Sequence, residues 1–509
     1  MTDNASETGS RADQRKSNDH EPPPGAKRRE HIELGGSKLA YDVVADWMVL
    51  RRDDEPVAEM FHVAYLLADA PADERPITFV FNGGPGASSA YLHIGALGPR
   101  RVAFAADGRV PAPPARLVDN QETWLSFTDL VFVDPVGTGF SRAVKNGKGE
   151  GADKAGAGKD AEKEFFGLNR DLESLGELIQ RFLSTHHRWT SPVFVAGESY
   201  GGFRAGKLSR KLQEGFGVGL NGAVLISPAL EWAPLVPTDY EVLHFIDSLP
   251  TMAAAAHAHG RGRALAADAP LDDVLREAEA FAARDLADLL VRGDRIEPAR
   301  RREIFERMAA FLGIDADVAE RAQGRLRITQ FARELLRDRG EICGLYDARI
   351  TARDPYPDRD LSEGPDPTLF SIERVFNAGI NAHLRSAIGI DTQRPYRLLS
   401  LDVNQAWKLD NEQHVLDRHV GATDDLRYAL SLNPHMRVLI SHGTYDLVTP
   451  YFSSDRIAGH MKLDEATRGR IDIEHFIGGH MFYTIDESRA GFRDAGARFV
   501  AACLGASAA

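Results

Sequence analysis

The chain has 509 residues, a formal charge of −14, and 43% hydrophobic against 27% charged residues. That balance excludes disorder throughout and a fibrous repeat, argues against a general nucleic-acid binder, and allows a core larger than one small domain needs. Its two cysteines, Cys343 and Cys503, lie far apart without metal-ligand spacing, so a disulfide framework is excluded too.

Residues 1–30 are polar and include Glu21-Pro22-Pro23-Pro24-Gly25, which reads as a disordered tail with order beginning near His31. They hold no apolar stretch of the kind a secretory leader carries, and no run of about 18 apolar residues occurs anywhere. The expectation is a cytoplasmic protein that does not enter a membrane. From Leu39 to Leu67, Tyr41, Val43, Phe61, Val63 and Tyr65 alternate around the turn-prone Arg52-Asp53-Asp54-Glu55-Pro56, the pattern of antiparallel hairpin strands at a sheet edge.

Ile77-Thr78-Phe79-Val80-Phe81 is apolar on both faces, as in a covered strand, and runs into Asn82-Gly83-Gly84-Pro85-Gly86-Ala87-Ser88-Ser89. So glycine-rich a loop lets backbone N–H groups approach a ligand, but it lacks the Gly-Lys-Ser/Thr ending of a phosphate-binding loop. A second strand, Leu130 to Val133, leads into Asp134-Pro135-Val136-Gly137-Thr138-Gly139-Phe140-Ser141, and the Gly/Lys-rich stretch 145–159 reads as an exposed loop. Phe165, Leu168, Leu172, Leu175, Ile179 and Phe182 then step by threes and fours, a helix with one buried face.

Next comes Phe194-Val195-Ala196-Gly197-Glu198-Ser199-Tyr200-Gly201-Gly202, an apolar run ending in a Gly-x-Ser-x-Gly turn. In that pattern a strand bends sharply into a helix and lifts the serine hydroxyl out as a nucleophile. A helix from Tyr200 to Glu214 and a strand at Ala223 to Ile226 follow, so strands alternate with helices as in a mostly parallel sheet covered on both faces. Residues 230–430 change to mainly helical patterns, expected to form one inserted cap between a core of 31–229 and its continuation at 431–509. The sheet resumes at Arg437 to Ile440 and Ile471 to Phe476, and a helix from Glu487 to Leu504 closes the chain.

A serine nucleophile needs a base and a carboxylate to orient it, and in this architecture they follow in the order Ser, Asp, His. Asp446, in Gly443-Thr444-Tyr445-Asp446, and His480, in Gly478-Gly479-His480-Met481, each follow one of the last two strands. Ligands gather at that end of an open sheet. Among 17 histidines, His442 and His475 are the nearest rivals, but both fall within or beside strands and read as packed or surface residues. Asp134 reads as structural, and no metal-ligand spacing occurs, so neither metal nor cofactor is expected.

Together, Asn82-Gly83-Gly84-Pro85-Gly86-x-Ser88-Ser89, the Asp134 to Ser141 block, Gly197 to Gly202, the Asp446 loop and Gly479-His480-Met481 resemble the serine carboxypeptidase family, in the family's order. The resemblance implies an α/β-hydrolase fold, a Ser199-Asp446-His480 triad, and an oxyanion hole from the backbone N–H groups of Gly84 and Tyr200, each donor worth about 3 to 4 kcal/mol in the transition state. It further implies that Asn82, Gly83 and Glu198 grip a peptide's terminal carboxylate, which Glu198 can do only by sharing a proton, since two anions in contact repel.

The chain departs from secreted members at Ala96, where they carry a second glutamate of the grip, and at Ala87, where they carry a disulfide cysteine. The expected activity is release of the C-terminal residue of peptides through an acyl-enzyme, with Met481 either lining a side-chain pocket or packing in the core. An esterase or acyltransferase would use the same triad, and a non-catalytic binding protein is the third reading.

Overall fold

The computed structural model describes residues 20–144, 162–236, 238–360, 364–409 and 420–505. The expected loop at 145–159 and residues 1–19 of the expected tail lie outside them. Three antiparallel strands, β1 (Ala26–Leu34), β2 (Ser37–Arg52) and β3 (Glu55–Leu67), form one side of the main sheet. Six parallel strands continue it: β4 (Ile77–Phe81), β5 (Asp129–Val133), β6 (Val193–Glu198), β7 (Gly222–Ile226), β8 (Arg437–Gly443) and β9 (Ile471–Phe476), and the two-residue strand Arg142–Ala143 pairs antiparallel with β3 off this path. Their spatial order is β1-β2-β3-β5-β4-β6-β7-β8-β9.

The β2–β3 turn falls where it was expected, with Asp53 and Asp54 both at positive φ, 48° and 63°. Aspartate tolerates that region because its short side chain hydrogen-bonds locally. The start of order is a correction. β1 begins at Ala26, paired with Ala45, ahead of the expected start at His31. Its sequence, AKRREHIEL, exposes nearly every side chain except Ile32, and a charged edge strand has the composition of a tail while its backbone is fully paired on one side.

Residues of the parallel strands alternate strictly between two cores. Val80, Phe132, Phe194, Ala196, Val224, Ile226 and Leu439 point to one face, and Phe79, Phe81, Val131, Val195, Leu225 and Ile440 to the other. The second face is covered by α1 (Leu168–Thr185), which turns Leu172, Leu175, Ile179 and Phe182 inward, and by α2 (Tyr200–Gly215) through Phe203, Leu208 and Leu212.

Residues 230–430 do not pack as one inserted body. A helical cluster with its own core is built by α3 (Leu243–Ala258), the helix Leu271–Phe281, α4 (Pro298–Leu312) and shorter helices around them; it runs to Ala348 and takes in Tyr445 and Leu447 on either side of Asp446. α4 shows why these helices form where they do. Glu297 caps it by accepting from Arg300 N–H at 3.0 Å, Pro298 occupies the first turn, and Gly313 ends it at φ 65°.

The later helices join the sheet instead. α5 (Pro367–Asn381) packs Ile372, Val375, Phe376 and Ile380 into the first-face core, and α6 (Thr423–Leu432) packs Leu426 and Leu430 into the second. The closing helix, α7 (Asp486–Cys503), adds Phe492 and Phe499 to the first face. Cys343 and Cys503 are both free thiols.

Candidate active site

The parallel strands end in register, so the segments after them meet at one rim. Phe81 of β4 is paired with Gly197 of β6, and Ile226 of β7 with both Glu198 and Ser441. Asn82, Ser199 and the Asp446 loop therefore leave neighbouring strands at the same level. Ser199 has φ 61° and ψ −123°, a strained conformation for a residue with a Cβ. The surrounding glycines are what let the chain bend there. A Cβ at Gly201 would stand 2.5 Å from Phe81 O, and one at Gly202 would stand 2.6 Å from Pro228 Cβ.

A cleft of about 60 Å³ is lined by Asn82, Gly83, Gly84, Ala87, Tyr91, Glu198, Ser199, Tyr346, Leu369, Leu399, His480 and Met481. Most of the residues expected to act lie along it, Ser199 and His480 included. Met481 does both things considered for it, lining the cleft and packing in the first-face core.

Asp446 is fully buried behind His480 and its Oδ2 lies 2.7 Å from His480 Nδ1. Four donors hold this carboxylate. Val448 N–H (2.9 Å) and Thr449 N–H (3.1 Å) donate to Oδ1, while the Thr449 hydroxyl (2.6 Å) and the imidazole share Oδ2. An acceptor-only group at Nδ1 leaves Nε2 without a proton and able to take one. Burial opposes the imidazolium, but the Asp446 charge, its hydrogen bond and the Glu198 charge outweigh that and raise the His480 pKa above its ordinary value.

The Gly83-Gly84 loop touches the elbow directly. A Cβ at Gly83 would lie 2.6 Å from Tyr200 N, and Gly84 sits at φ 102°, open to glycine alone without strain. Tyr200 N–H is the first amide of α2, where the helix itself supplies no acceptor. Arg204, buried in α2, pairs with Asp171 of α1 at 2.7 Å and donates to Asn82 O at 2.8 Å, tying the loop to both helices.

Glu198 is buried, with Asn82 Nδ2 donating to its Oε2 and the Tyr483 hydroxyl 2.9 Å from Oε1. Burial pushes its carboxyl up to about 7, against the opposing influence of His480, Tyr483 and Asn82. The Tyr91 hydroxyl, also buried, has no hydrogen-bond partner among the described residues.

The rivals stand elsewhere. His442 Nε2 is 2.8 Å from Ser454 Oγ and His475 Nε2 is 3.1 Å from Asp455, and neither lines the cleft. Asp134 Oδ1 accepts from Ser89 N–H at 3.0 Å and from the Tyr396 hydroxyl at 3.2 Å, a tie between the glycine loop and the segment after α5. Ala96 is buried outside the cleft, its carbonyl accepting from Asn120 at 2.8 Å. Among the described residues, no group of three or more His, Cys, Asp or Glu is placed to hold a metal, and no helix is long and apolar enough to cross a membrane.

Sequence reasoning missed Tyr483, Thr449, Arg204 and Tyr346. Thr449 and Tyr483 each lie three residues after a residue it did single out, within short turns that carry no periodic signal. Tyr346, whose carbonyl accepts from His480 N–H at 2.6 Å, arrives from the helical insertion.

A mostly parallel sheet with helices on both faces and a strand-to-helix turn carrying Ser199 near its centre is the α/β-hydrolase fold. Residues 47–234 match the model of the serine carboxypeptidase family. Over 179 residues it is 30% identical to the pheromone-processing carboxypeptidase KEX1 of Yarrowia lipolytica, covering 33% of this chain and 25% of that protein. Over 195 residues it is 32% identical to a carboxypeptidase Y homolog of Arthroderma benhamiae, covering 36% and 34%. The chain thus matches a quarter to a third of the length of these relatives. Among solved structures, the proline iminopeptidase of Mycobacterium smegmatis is similar at 13% identity and a TM-score of 0.36, covering 91% of this chain and all of that one.

Proposed function

We propose that this protein is a serine carboxypeptidase that removes the C-terminal residue of peptides. Ser199 Oγ attacks the scissile carbonyl and His480 Nε2 takes its proton. Asp446 fixes the tautomer and stabilises the imidazolium that forms. The N–H groups of Gly84 and Tyr200 receive the oxyanion. His480 then protonates the leaving amine, and water resolves the acyl-enzyme by the same steps in reverse roles.

The observation that carries this reading is the 2.7 Å Asp446–His480 contact behind an imidazole that shares its cleft with a serine at φ 61°. The family match supports the peptide as substrate. Specificity for a chain end rests on Asn82, Gly83 and Glu198, which line the cleft beside the nucleophile. A buried carboxyl held near neutrality by its surroundings has the chemistry for it, because in its acid form it donates to a carboxylate without charge repulsion.

Two measurements test the proposal. Ser199→Ala is expected to abolish turnover with the fold retained, and comparable turnover would remove the mechanism. A peptide is expected to be cleaved faster than its C-terminal amide. Equal rates would reject chain-end specificity and leave the triad standing.

A further inference from the structure

The Glu198 carboxyl is approached from several elements. Asn82, after β4, donates from Nδ2 to Oε2, and Tyr483, in the short turn after His480, places its hydroxyl 2.9 Å from Oε1 and 3.1 Å from Oε2. His480 and Asp446 act on its charge from the catalytic side, and the phenols of Tyr91 and Tyr346 lie near enough for that charge to hinder their own ionisation. Tyr483 itself is fully buried.

A phenol has one proton to donate, and here both carboxyl oxygens share it. Oε2 therefore receives two donors and Oε1 only a share of one. We propose that Tyr483 is a positioning residue for substrate recognition: by spanning both oxygens of Glu198 it orients the carboxyl so that the proton shared with a peptide's terminal carboxylate is carried on Oε1. The inference rests on the reading of Glu198 as part of the carboxylate grip.

The same contact sets the pH at which the grip works. Donors to a carboxylate favour its anion, whereas the grip needs the acid. Without the Tyr483 hydroxyl, Glu198 keeps its proton to higher pH, and free-acid peptides remain good substrates further into the alkaline range.

The experiment measures kcat/KM for a peptide and for its C-terminal amide across neutral pH and takes their ratio. Both substrates use Ser199, His480 and Asp446, so the ratio cancels that titration and any general loss of activity. In the unaltered protein the ratio is expected to fall as pH rises through about 7, where Glu198 loses its proton. In Tyr483→Phe the fall should move up by about one pH unit or more, the effect of losing a hydrogen bond to a charged group.

Site-specific 3-fluorotyrosine at position 483, a stronger donor, should move the fall down, and it serves if the phenylalanine variant does not fold. A fall that stays in place in both variants overturns the proposal. The Glu198 reading fails separately: a ratio that does not vary with pH, or a fall that survives Glu198→Gln, overturns that reading and this inference with it.

Discussion

Asp446→Asn isolates what the buried carboxylate does for His480. On one side Oδ1 accepts two backbone amides, from Val448 and Thr449, and on the other Oδ2 faces His480 Nδ1 at 2.7 Å. Asparagine has one oxygen and one NH₂ for these two sides. Turning the NH₂ toward the amides sets donor against two buried donors, each left unsatisfied at a cost of about 1 to 3 kcal/mol. The oxygen therefore stays with the amides and the NH₂ faces Nδ1. Nδ1 must then accept, the imidazole proton moves to Nε2, and Nε2 has no lone pair for the Ser199 proton.

An interchange of this kind costs about 10⁴-fold in kcat, equivalent to ~5 kcal/mol of barrier. Steady-state hydrolysis and the rate of labelling by a serine-directed phosphonate should fall together, while thermal unfolding shows the fold retained. Activity within tenfold of the unaltered protein would refute the assignment of Asp446 as the group that orients His480.

Two further outcomes follow from packing and burial. Gly83→Ala places a Cβ 2.6 Å from Tyr200 N, 2.7 Å from Glu198 O and 2.9 Å from Ser199 Cβ, so relief requires the elbow to move. Expected are a loss of kcat on the order of 10²-fold or more and a destabilisation of about 1 to 3 kcal/mol, read by kinetics and thermal melting, and near-normal kcat would refute the close approach. Burial pushes His62 and His383 down to about 4 and holds His93 and His442 well below their ordinary value. Their folded-state pKa values lie below the unfolded ones, so their stabilisation is complete above pH ~6.5 and is lost as pH falls toward 4, on the order of 3 kcal/mol each for His62 and His383. Denaturant unfolding at stepped pH should show that decline, and a flat profile below pH 6 would refute it.

Much of the site was legible because its residues sit where strand ends and glycine turns coincide. Ser199 and Asp446 follow apolar runs of strand length and His480 follows the alternating Ile471–Phe476, and a parallel sheet brings such positions together without further information. The family match ends at residue 234, so Asp446 and His480 were found by local pattern and joined to Ser199 by the fold. Partners of the buried faces were not legible in this way. Phe376 and Ile380 announce an apolar helix face, but the same stripe fits a separate cap as well as the sheet core it joins. Tyr483 shows a different limit, because the short turn after His480 has no period to reveal which side chain points inward.

The two titrating groups of the site have opposed requirements. In the proposed mechanism His480 works as a base only after losing its proton, and its pKa is raised by Asp446 and Glu198, so the chemical step is expected to improve as pH rises from acid. On the same proposal Glu198 grips a carboxylate only while protonated, an ability expected to decline above about 7. Each also shapes the other, since a negative Glu198 favours the imidazolium. Loss of the Glu198 proton therefore weakens substrate recognition and keeps His480 charged to higher pH. A free-acid peptide is then expected to be turned over in a band around neutrality, whereas an amide or ester, which would need only His480, should escape the upper boundary.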